Sequence, residues 1–151
     1  MRRRKRSRVA SATTREGAPI DEVLAYLKAN PTYFLATVDE AGNPQVRPFG
    51  TIAKFESRLY IQTGKIKAVS DQMLAHPRVA ICAMGEDGSW LRVEADAVLD
   101  DRLEAREAVL AEYPYLRPMY AADDGNCEVF ALENVTATFC SFTKEPYAVR
   151  W

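Results

Sequence analysis

Residues 90–99 read WLRVEADAVL, a segment in which apolar and charged side chains alternate. The apolar set recurs at every second position and the charges fall between its members: Leu91, Val93, Ala95, Ala97 and Leu99 against Arg92, Glu94 and Asp96. Successive side chains of a strand point to opposite faces of the sheet, so this period of two predicts a half-buried strand. One polar face is typical of antiparallel sheets, because parallel sheets are usually covered on both faces.

Most of the remaining chain also has the pattern of short strands joined by turns. Strands are predicted at residues 33–38, 45–55, 59–63, 79–84, 127–132 and 136–142, and helices from an N-cap at Asp21 to Asn30, from 63 to 76 and from 101 to 113. Pro44 and Pro48 put the strand at 45–55 at a sheet edge or a local break, because proline cannot donate to a ladder. Strands joined mainly by hairpins favour a mainly β or α+β fold, an antiparallel barrel with flanking helices.

Length and charge limit the classes of protein that fit. The 151 residues suffice for one domain, and 48% apolar with 27% charged residues is a globular composition. No apolar run approaches the ~20 residues that span a bilayer. Residues 1–16 hold seven basic residues against one acid, which leaves 13 basic and 20 acidic residues, a charge of −7, for the rest. Such an acidic body does not suit nucleic-acid binding.

We therefore predict a basic, disordered leader at residues 1–18 and a single domain at 19–151 of a cytoplasmic protein. A leader that tethers the protein to nucleic acid or another acidic surface is the alternative. We rank it last, because no aromatic residues interleave with those charges.

Cysteine and histidine usage argues against several kinds of chemistry. Cys82, Cys127 and Cys140 are an odd number without a Cys-x-x-Cys pair, so neither a disulfide framework nor a metal site is predicted. His76 is the single histidine and stands just before Pro77, where the end of a helix is expected. A Ser-His-Asp triad would depend on that one residue. If the protein is an enzyme, a bound cofactor carries the reactivity.

The sharpest local motif is QTGKIK, residues 62–67, between a predicted strand and a predicted helix. A helix N-terminus attracts anions through its unpaired N–H groups and its positive dipole end. Thr63 adds a hydroxyl and Gly64 permits close approach of the backbone. Lys65 and Lys67 oppose the helix dipole unless an anion lies there, so the motif indicates a phosphate site. Solvated lysines after a turn are the competing interpretation.

Two further segments carry candidate binding residues. Arg47 lies on the preceding strand pair, and its planar fork suits phosphate oxygens. Phe49 and Gly50 follow it and would let a flat ring lie close to the backbone. Trp90 stands where a loop enters a strand, which suits either the core or the wall of a cleft.

Five segments taken in order resemble a known family: FLATV at 34–38, GNPQVRP at 42–48, LYIQTGKIK at 59–67, QMLAHPRVAIC at 72–82 and WLRVEADA at 90–97. This succession resembles the pyridoxamine 5′-phosphate oxidase-like proteins, which are FMN-binding split barrels. The resemblance covers residues 20–145. It implies a six-stranded antiparallel split barrel with flanking helices that forms a homodimer, with FMN sites at the subunit interface.

The resemblance also implies which residues contact FMN: Arg47, Pro48, Phe49, Gly50, Gln62, Thr63, Lys65, Lys67, Trp90 and Arg92. Arg47, Thr63 and Lys67 are expected to hold the phosphate, with Lys65 as a weaker candidate. The backbone of residues 48–50 is expected to face the isoalloxazine ring. Trp90 and Arg92 match a strand that reaches the flavin from the same or the partner subunit.

The chain departs from pyridoxamine phosphate oxidases proper at three places. The loop after Thr63 is shorter, Trp90 and Leu91 stand where those enzymes have Gln-Val before the arginine, and residues 146–151 lack their substrate segment. The chain is therefore more similar to the small, generic flavoproteins of the superfamily than to a vitamin B6 oxidase.

We expect an oxidoreductase whose FMN passes electrons from a reduced nicotinamide to a small acceptor such as a quinone, a nitro compound, another flavin or oxygen. No general acid or base is identified. The alternatives are a flavin- or haem-binding carrier or sensor without turnover, and a reductase that uses a deazaflavin. Residues 114–120 are rich in Tyr, Met and Arg, which favours a dimer interface there or an aromatic loop packed inward.

Overall fold

An antiparallel sheet of eight strands is the main feature of residues 19–151, the part of the chain that this computed structural model describes. The leader predicted at 1–18 lies outside the described residues. The strands are β1 (Tyr33–Val38), β2 (Pro44–Phe49), β3 (Ala53–Phe55), β4 (Arg58–Gly64), β5 (Arg78–Met84), β6 (Trp90–Leu99), β7 (Cys127–Cys140) and β8 (Tyr147–Arg150). The helices are α1 (Pro19–Ala29), α2 (Ala68–Ala75) and α3 (Leu103–Glu112), followed by a 3₁₀ turn at Pro114–Leu116.

The strand order closes the sheet into a barrel. It runs β2-β1-β5-β6-β7-β4-β3, with β8 paired to the far half of β7. Six strand spacings of about 4.8 Å would separate β2 from β3 by about 29 Å in a flat sheet. Only residues 50–52 connect these two strands, and four extended Cα steps reach about 14 Å. The sheet therefore curls until its two ends meet, which confirms the predicted antiparallel barrel with flanking helices.

The long strand β7 gives the barrel its split. Residues 127–132 pair with β4, whereas residues 136–139 pair with β8, and β6 accompanies most of its length. Asn134 has a positive φ of 50° between the two halves, and the β6 register shifts between Glu94 and Asp96. The predicted strands at 127–132 and 136–142 are thus one bent strand, and β8 was not predicted.

The side chains of residues 90–99 follow the predicted alternation. Leu91, Val93 and Ala95 are at most 1% exposed in the barrel core, and Arg92 and Glu94 lie on the outer face. The core continues through neighbouring strands with Leu35, Ile61, Ile81, Phe130 and Leu132. His76 is the C-cap of α2, as expected.

Three predicted boundaries were wrong. Asp21 is not an N-cap, because α1 begins at Pro19 and Asp21 lies in its first turn. The helix predicted from residue 63 begins only at Ala68, since Thr63 and Gly64 still pair with β7. The strand predicted at 45–55 breaks at residues 50–52, where side chains replace strand partners.

That break is held by two tyrosine hydroxyls. The Tyr33 hydroxyl donates to the Thr51 carbonyl at 2.5 Å. The Tyr113 hydroxyl accepts from the Ile52 N–H at 2.9 Å and donates to the Ile52 carbonyl at 2.8 Å. Burial raises the pKa of both phenols, so they stay protonated and able to donate at neutral pH. The backbone of the link is thereby satisfied without a neighbouring strand.

No helix within residues 19–151 has the length and apolar character needed to cross a membrane.

Phe130 tests the placement of the core. It is fully buried on β7 between Ile61 of β4 and Leu99 of β6. Phe130→Ala should lower the free energy of unfolding by about 3–5 kcal/mol in urea denaturation, because it leaves a cavity where three strands meet. Phe142→Ala is the matched control, since Phe142 is 85% exposed and should change stability by less than about 0.5 kcal/mol. Equal effects would contradict the assignment of the core.

Candidate functional site

A cleft of about 230 Å³ opens where β2 and β4 end and α2 begins. We call it the α2 cleft. It is lined by residues 48–51, by Gln62 and Thr63 of β4, by Lys67, and by Tyr115, Leu116, Met119 and Tyr120 beyond α3. Barrel closure creates it, because the link at residues 50–52 sets the end of β2 beside the end of β4.

The structure brings six of the predicted contact residues together in this cleft: Pro48, Phe49, Gly50, Gln62, Thr63 and Lys67. The sequence analysis left residues 114–120 as either a dimer interface or an aromatic loop packed inward, and it did not connect them with this site. Their contribution to the wall is mixed, since Leu116 is buried whereas Tyr115 and Met119 are 62% and 64% exposed. No local signal in the sequence indicates that this segment reaches β4.

The turn between β4 and α2 is fixed by Asn126, a residue that the sequence analysis missed. Its backbone carbonyl accepts from the Lys65 N–H at 2.7 Å, and its side-chain Oδ1 accepts from the Ile66 N–H at 3.2 Å. The Lys67 N–H donates to the Gly64 carbonyl at 3.0 Å. The backbone that carries both lysines is therefore held in a defined conformation.

Gly64 is required by close packing against this anchor. A Cβ at this position would lie 3.1 Å from Nδ2 of Asn126 and 3.1 Å from the Tyr120 hydroxyl. Either side chain would have to move to admit even alanine. The predicted close backbone approach at Gly64 thus serves the turn itself.

Lys67 is the N-cap of α2 and leaves the first helical turn without a capping side chain. A lysine ammonium cannot accept from the N–H of Val69 as a Ser, Thr, Asn or Asp oxygen would. Open N–H groups beside a cation at a helix N-terminus form a suitable place for an anion.

Arg47 does not line the cleft but joins β2 to α2 through neutral acceptors. One terminal nitrogen donates to Oγ1 of Thr37 at 2.6 Å and to the Leu35 carbonyl at 3.2 Å, and the other donates to Oε1 of Gln72 at 2.7 Å. Partial burial lowers the pKa of the guanidinium, which stays charged. Within residues 19–151, neither Arg47, Lys65 nor Lys67 forms an ion pair.

Gln62 and Thr63 form the inner wall and are buried. The Gln62 N–H donates to Oγ1 of Thr51 at 3.0 Å, and its side-chain Nε2 donates to the Thr63 carbonyl at 2.8 Å. The first of these bonds ties β4 to the link at residues 50–52, and the second lies within β4. One N–H of the Gln62 side chain is thus used inside the wall, and its predicted contact with a cofactor stays a prediction.

Trp90 and Arg92 lie elsewhere in the chain. Trp90 lines a second, larger cleft, where its ring centroid is 5.1 Å from that of Phe142. Arg92 is exposed on the outer face of β6, 3.7 Å from the carboxylate of Glu94. Neither residue reaches the α2 cleft within one subunit.

The α2 cleft thus combines a lysine at a helix N-terminus with a lining that is partly polar and partly apolar, an arrangement that suits an anion attached to a flat ring. Within the described part of the chain, no group of three His, Cys, Asp or Glu side chains is placed to hold a metal ion.

Comparison with known proteins agrees with this fold. The sequence model of the family described as pyridoxamine 5′-phosphate oxidase matches residues 19–139. The chain belongs to that family. A search of the curated proteins found no match to its sequence.

Solved structures show which relatives of this family member share its barrel. A NimC/NimA family protein from Clostridium acetobutylicum is 34% identical, with a TM-score of 0.84 over 88% of this chain and 92% of the other. A haem-binding protein from Mycobacterium smegmatis is 15% identical, with a TM-score of 0.67 over 91% and 60%. An F420 reductase is 22% identical, with a TM-score of 0.54 over 72% and 89%. The last two similarities show the fold alone.

Asn126→Ala tests the anchored turn. Loss of the Oδ1 acceptor should speed hydrogen exchange of the Ile66 amide about tenfold, because opening this one bond exposes it. Exchange of amides in the core of β6 should stay unchanged. Asp123→Ala, an exposed substitution in the same loop, is the control. Ile66 protection that survives Asn126→Ala would show that the side chain does not hold the turn.

Proposed function

We propose that this protein is an FMN-dependent oxidoreductase that transfers electrons from a reduced nicotinamide to a small acceptor. One observation carries the proposal: Lys65 and Lys67 have no acidic partner among residues 19–151, and they stand at the uncapped start of α2 beside a cleft with apolar walls. Membership of the pyridoxamine 5′-phosphate oxidase family supports the same assignment.

The residues present fit the phosphate of FMN. Lys67 and the first N–H groups of α2 would bind its oxygens, with Thr63 behind them and Lys65 as a second cation. Arg47 retains N–H groups beyond its three hydrogen bonds, since a guanidinium has five donors. It would contribute from the far side while bracing α2 through Gln72.

The aromatic and backbone surfaces fit the ring. Residues 48–50 present backbone at the mouth of the cleft, and Gly50 leaves space there because a Cβ would meet only the Pro31 carbonyl at 3.6 Å. Tyr115 and Met119 would cover the ring from the other side. Bound FMN would supply the hydride acceptor and electron donor, and the side chains would bind it and exclude water.

Size favours completion of this site by a second subunit. A volume of about 230 Å³ is below the roughly 300–1,000 Å³ of typical ligand pockets. One subunit is thus too shallow to enclose a cofactor with a tricyclic ring and a ribityl phosphate. Arg92, which is remote from the cleft in its own chain, is then available to a partner's flavin, whereas Trp90 lines a separate cleft of its own subunit.

The outer sheet face offers a surface for that second copy. Phe34, Val46 and Met84 are 51%, 68% and 64% exposed on three neighbouring strands, β1, β2 and β5. Phe34 pairs with Cys82, and Ala36 pairs with Val46, so the apolar positions form a continuous patch. We propose that this patch is the core of a homodimer interface, because exposed apolar patches of this kind commonly mark contacts.

A deazaflavin is the second candidate for the α2 cleft, since it also joins a tricyclic ring to a phosphate and the F420 reductase shares the barrel. Haem is a weaker fit. His76, the single histidine of the chain, caps the opposite end of α2 and lines neither cleft. Histidine is the usual axial ligand in haem proteins.

Cofactor retention tests the FMN assignment. Protein mixed with excess FMN and then desalted should keep a shifted flavin absorption band. Under anaerobic conditions, NADH or NADPH should reduce the bound flavin and bleach this band. Lys67→Ala and Arg47→Ala should each weaken FMN binding about tenfold or more, since each removes a charged phosphate contact. Arg47→Lys should fall between Arg47→Ala and wild type, because it keeps the charge and loses the fork.

Lys54→Ala is the control, since its ammonium pairs with Asp21 outside the cleft. It should leave FMN binding unchanged. If the Arg47 and Lys67 variants retain as much FMN as wild type, the phosphate site is wrong. A flat spectrum for wild type would reject FMN and favour a deazaflavin or a role without flavin.

Light scattering after size exclusion tests the proposed interface. Wild type should have the mass of a dimer, and Val46→Lys with Met84→Lys should shift it to monomer, because both charges would be buried in the contact. Leu103→Lys is the control. It makes the same kind of apolar-to-lysine change at a 48% exposed leucine of α3 and should leave a dimer. A monomeric wild type would overturn the proposal of a shared site.

A further inference from the structure

A second cleft is larger than the α2 cleft of about 230 Å³ that lies beside the QTGKIK motif. It measures about 690 Å³, which is within the usual range for small-molecule sites. We call it the α1 cleft, because Glu22 and Tyr26 of α1 form one wall. The turn between β5 and β6, the end of β7, residues 141–145 and the start of β8 form the others. It shares no lining residue with the α2 cleft.

Aromatic rings form much of its surface. Phe139 stacks on Tyr147 with ring centroids 4.8 Å apart and planes at 14°, and Tyr26 meets Phe139 edge-on at 5.8 Å. Trp90 lines the cleft beside them. The rings hold each other in fixed orientations, and a flat ligand could stack against such a wall at little cost in side-chain entropy.

The charges at this cleft are mainly negative. Its lining includes three carboxylates, Glu22, Asp87 and Glu145, against one cation, Lys144. Tyr147 donates a hydrogen bond to Glu22. A cation held among carboxylates gains Coulomb energy and can also lie over the face of an aromatic ring, and Trp is the best such ring.

Asp87 is held in place by a chain of hydroxyl groups. Its Oδ1 accepts from the Ser89 N–H at 2.9 Å and from the Ser89 hydroxyl at 2.6 Å. The Tyr26 hydroxyl lies 2.9 Å from the Ser89 oxygen and donates to it, because the serine proton is already given to Asp87. These hydrogen bonds lower the pKa of Asp87, so the carboxylate is charged at neutral pH.

The packing around Gly85 shows how closely these groups converge. A Cβ there would lie 2.8 Å from Oδ1 of Asp87, 2.8 Å from Oγ of Ser89 and 2.9 Å from the Tyr26 hydroxyl. No other residue fits without displacing the chain of hydroxyls. The wall is therefore organised before any ligand arrives, which lowers the cost of binding.

We infer that the α1 cleft is a separate binding site for a flat aromatic cation, such as an aromatic amidine that is protonated at neutral pH. The ring would stack on the aromatic wall, and the positive charge would lie near Asp87 and Glu22. An excess of carboxylates disfavours anionic aromatic ligands, including the phosphate-bearing nicotinamide dinucleotides. The site does not depend on the proposed flavin chemistry.

Proflavine, a planar tricyclic cation that fluoresces, is the probe. Titrated into the full-length protein without FMN, it should bind saturably. The anionic dye 1-anilinonaphthalene-8-sulfonate should bind at least about tenfold more weakly, because its charge opposes that of the wall. Trp90→Leu and Asp87→Asn should each weaken proflavine binding about tenfold. Asp87→Asn keeps an oxygen that can accept from Ser89, so the turn stays folded.

Glu104→Gln removes one carboxylate from α3, outside the lining of the cleft, and should leave proflavine binding unchanged. Equal binding of the anionic dye, an unchanged affinity in the Trp90 and Asp87 variants, or no saturable binding would each overturn the inference. Displacement of proflavine by excess FMN would also overturn it, since the cleft would then belong to the flavin site.

Discussion

The link of three residues between β2 and β3 is the constraint on which the rest of the structure depends. Residues 50–52 join the two ends of the strand order, so no open arrangement of the sheet satisfies the chain. The link can be this short because Tyr33 and Tyr113 supply the hydrogen bonds that strand neighbours would otherwise provide. Closure also brings the end of β2 to the end of β4, and the α2 cleft is the space that remains between them. The short link therefore determines both the closure of the barrel and the position of the α2 cleft.

The elements that could be predicted are those in which local pattern and tertiary environment agree. The alternation in residues 90–99 reflects the barrel interior directly, and Pro48 marks both a sheet edge and the approach to a break. The errors occur where distant partners decide. Residues 133–135 have the composition of a turn, yet pairing with β6 and β8 carries β7 through a bend at Asn134. β8 is only four residues long, and pairing with the second half of β7, not a local pattern, makes it a strand.

In the candidate site, too, the residues in local motifs could be predicted and those brought in by distant parts of the chain could not. Six of its predicted residues lie in two short segments, 48–50 and 62–67, whose proximity follows from neighbouring strand ends. Asn126 and residues 115–120 come from regions far along the chain, and no periodicity in the sequence shows that they meet the turn. Arg47 was recognised for its charge. The sequence does not reveal that the guanidinium already donates hydrogen bonds to Thr37 and Gln72. Arg47 therefore holds α2 in place and is also a candidate phosphate ligand.

The fourteen residues of β7 connect two places that otherwise have little in common. Its first residues follow Asn126 and border the turn beside the α2 cleft, and its last residues, Phe139 and Cys140, line the α1 cleft. The middle of the strand is locked between neighbours in the barrel. Substitutions at its last residues can therefore change the lining of the α1 cleft while its buried first residues keep the turn beside the α2 cleft in place. A single strand thus makes the two clefts separate targets for natural selection.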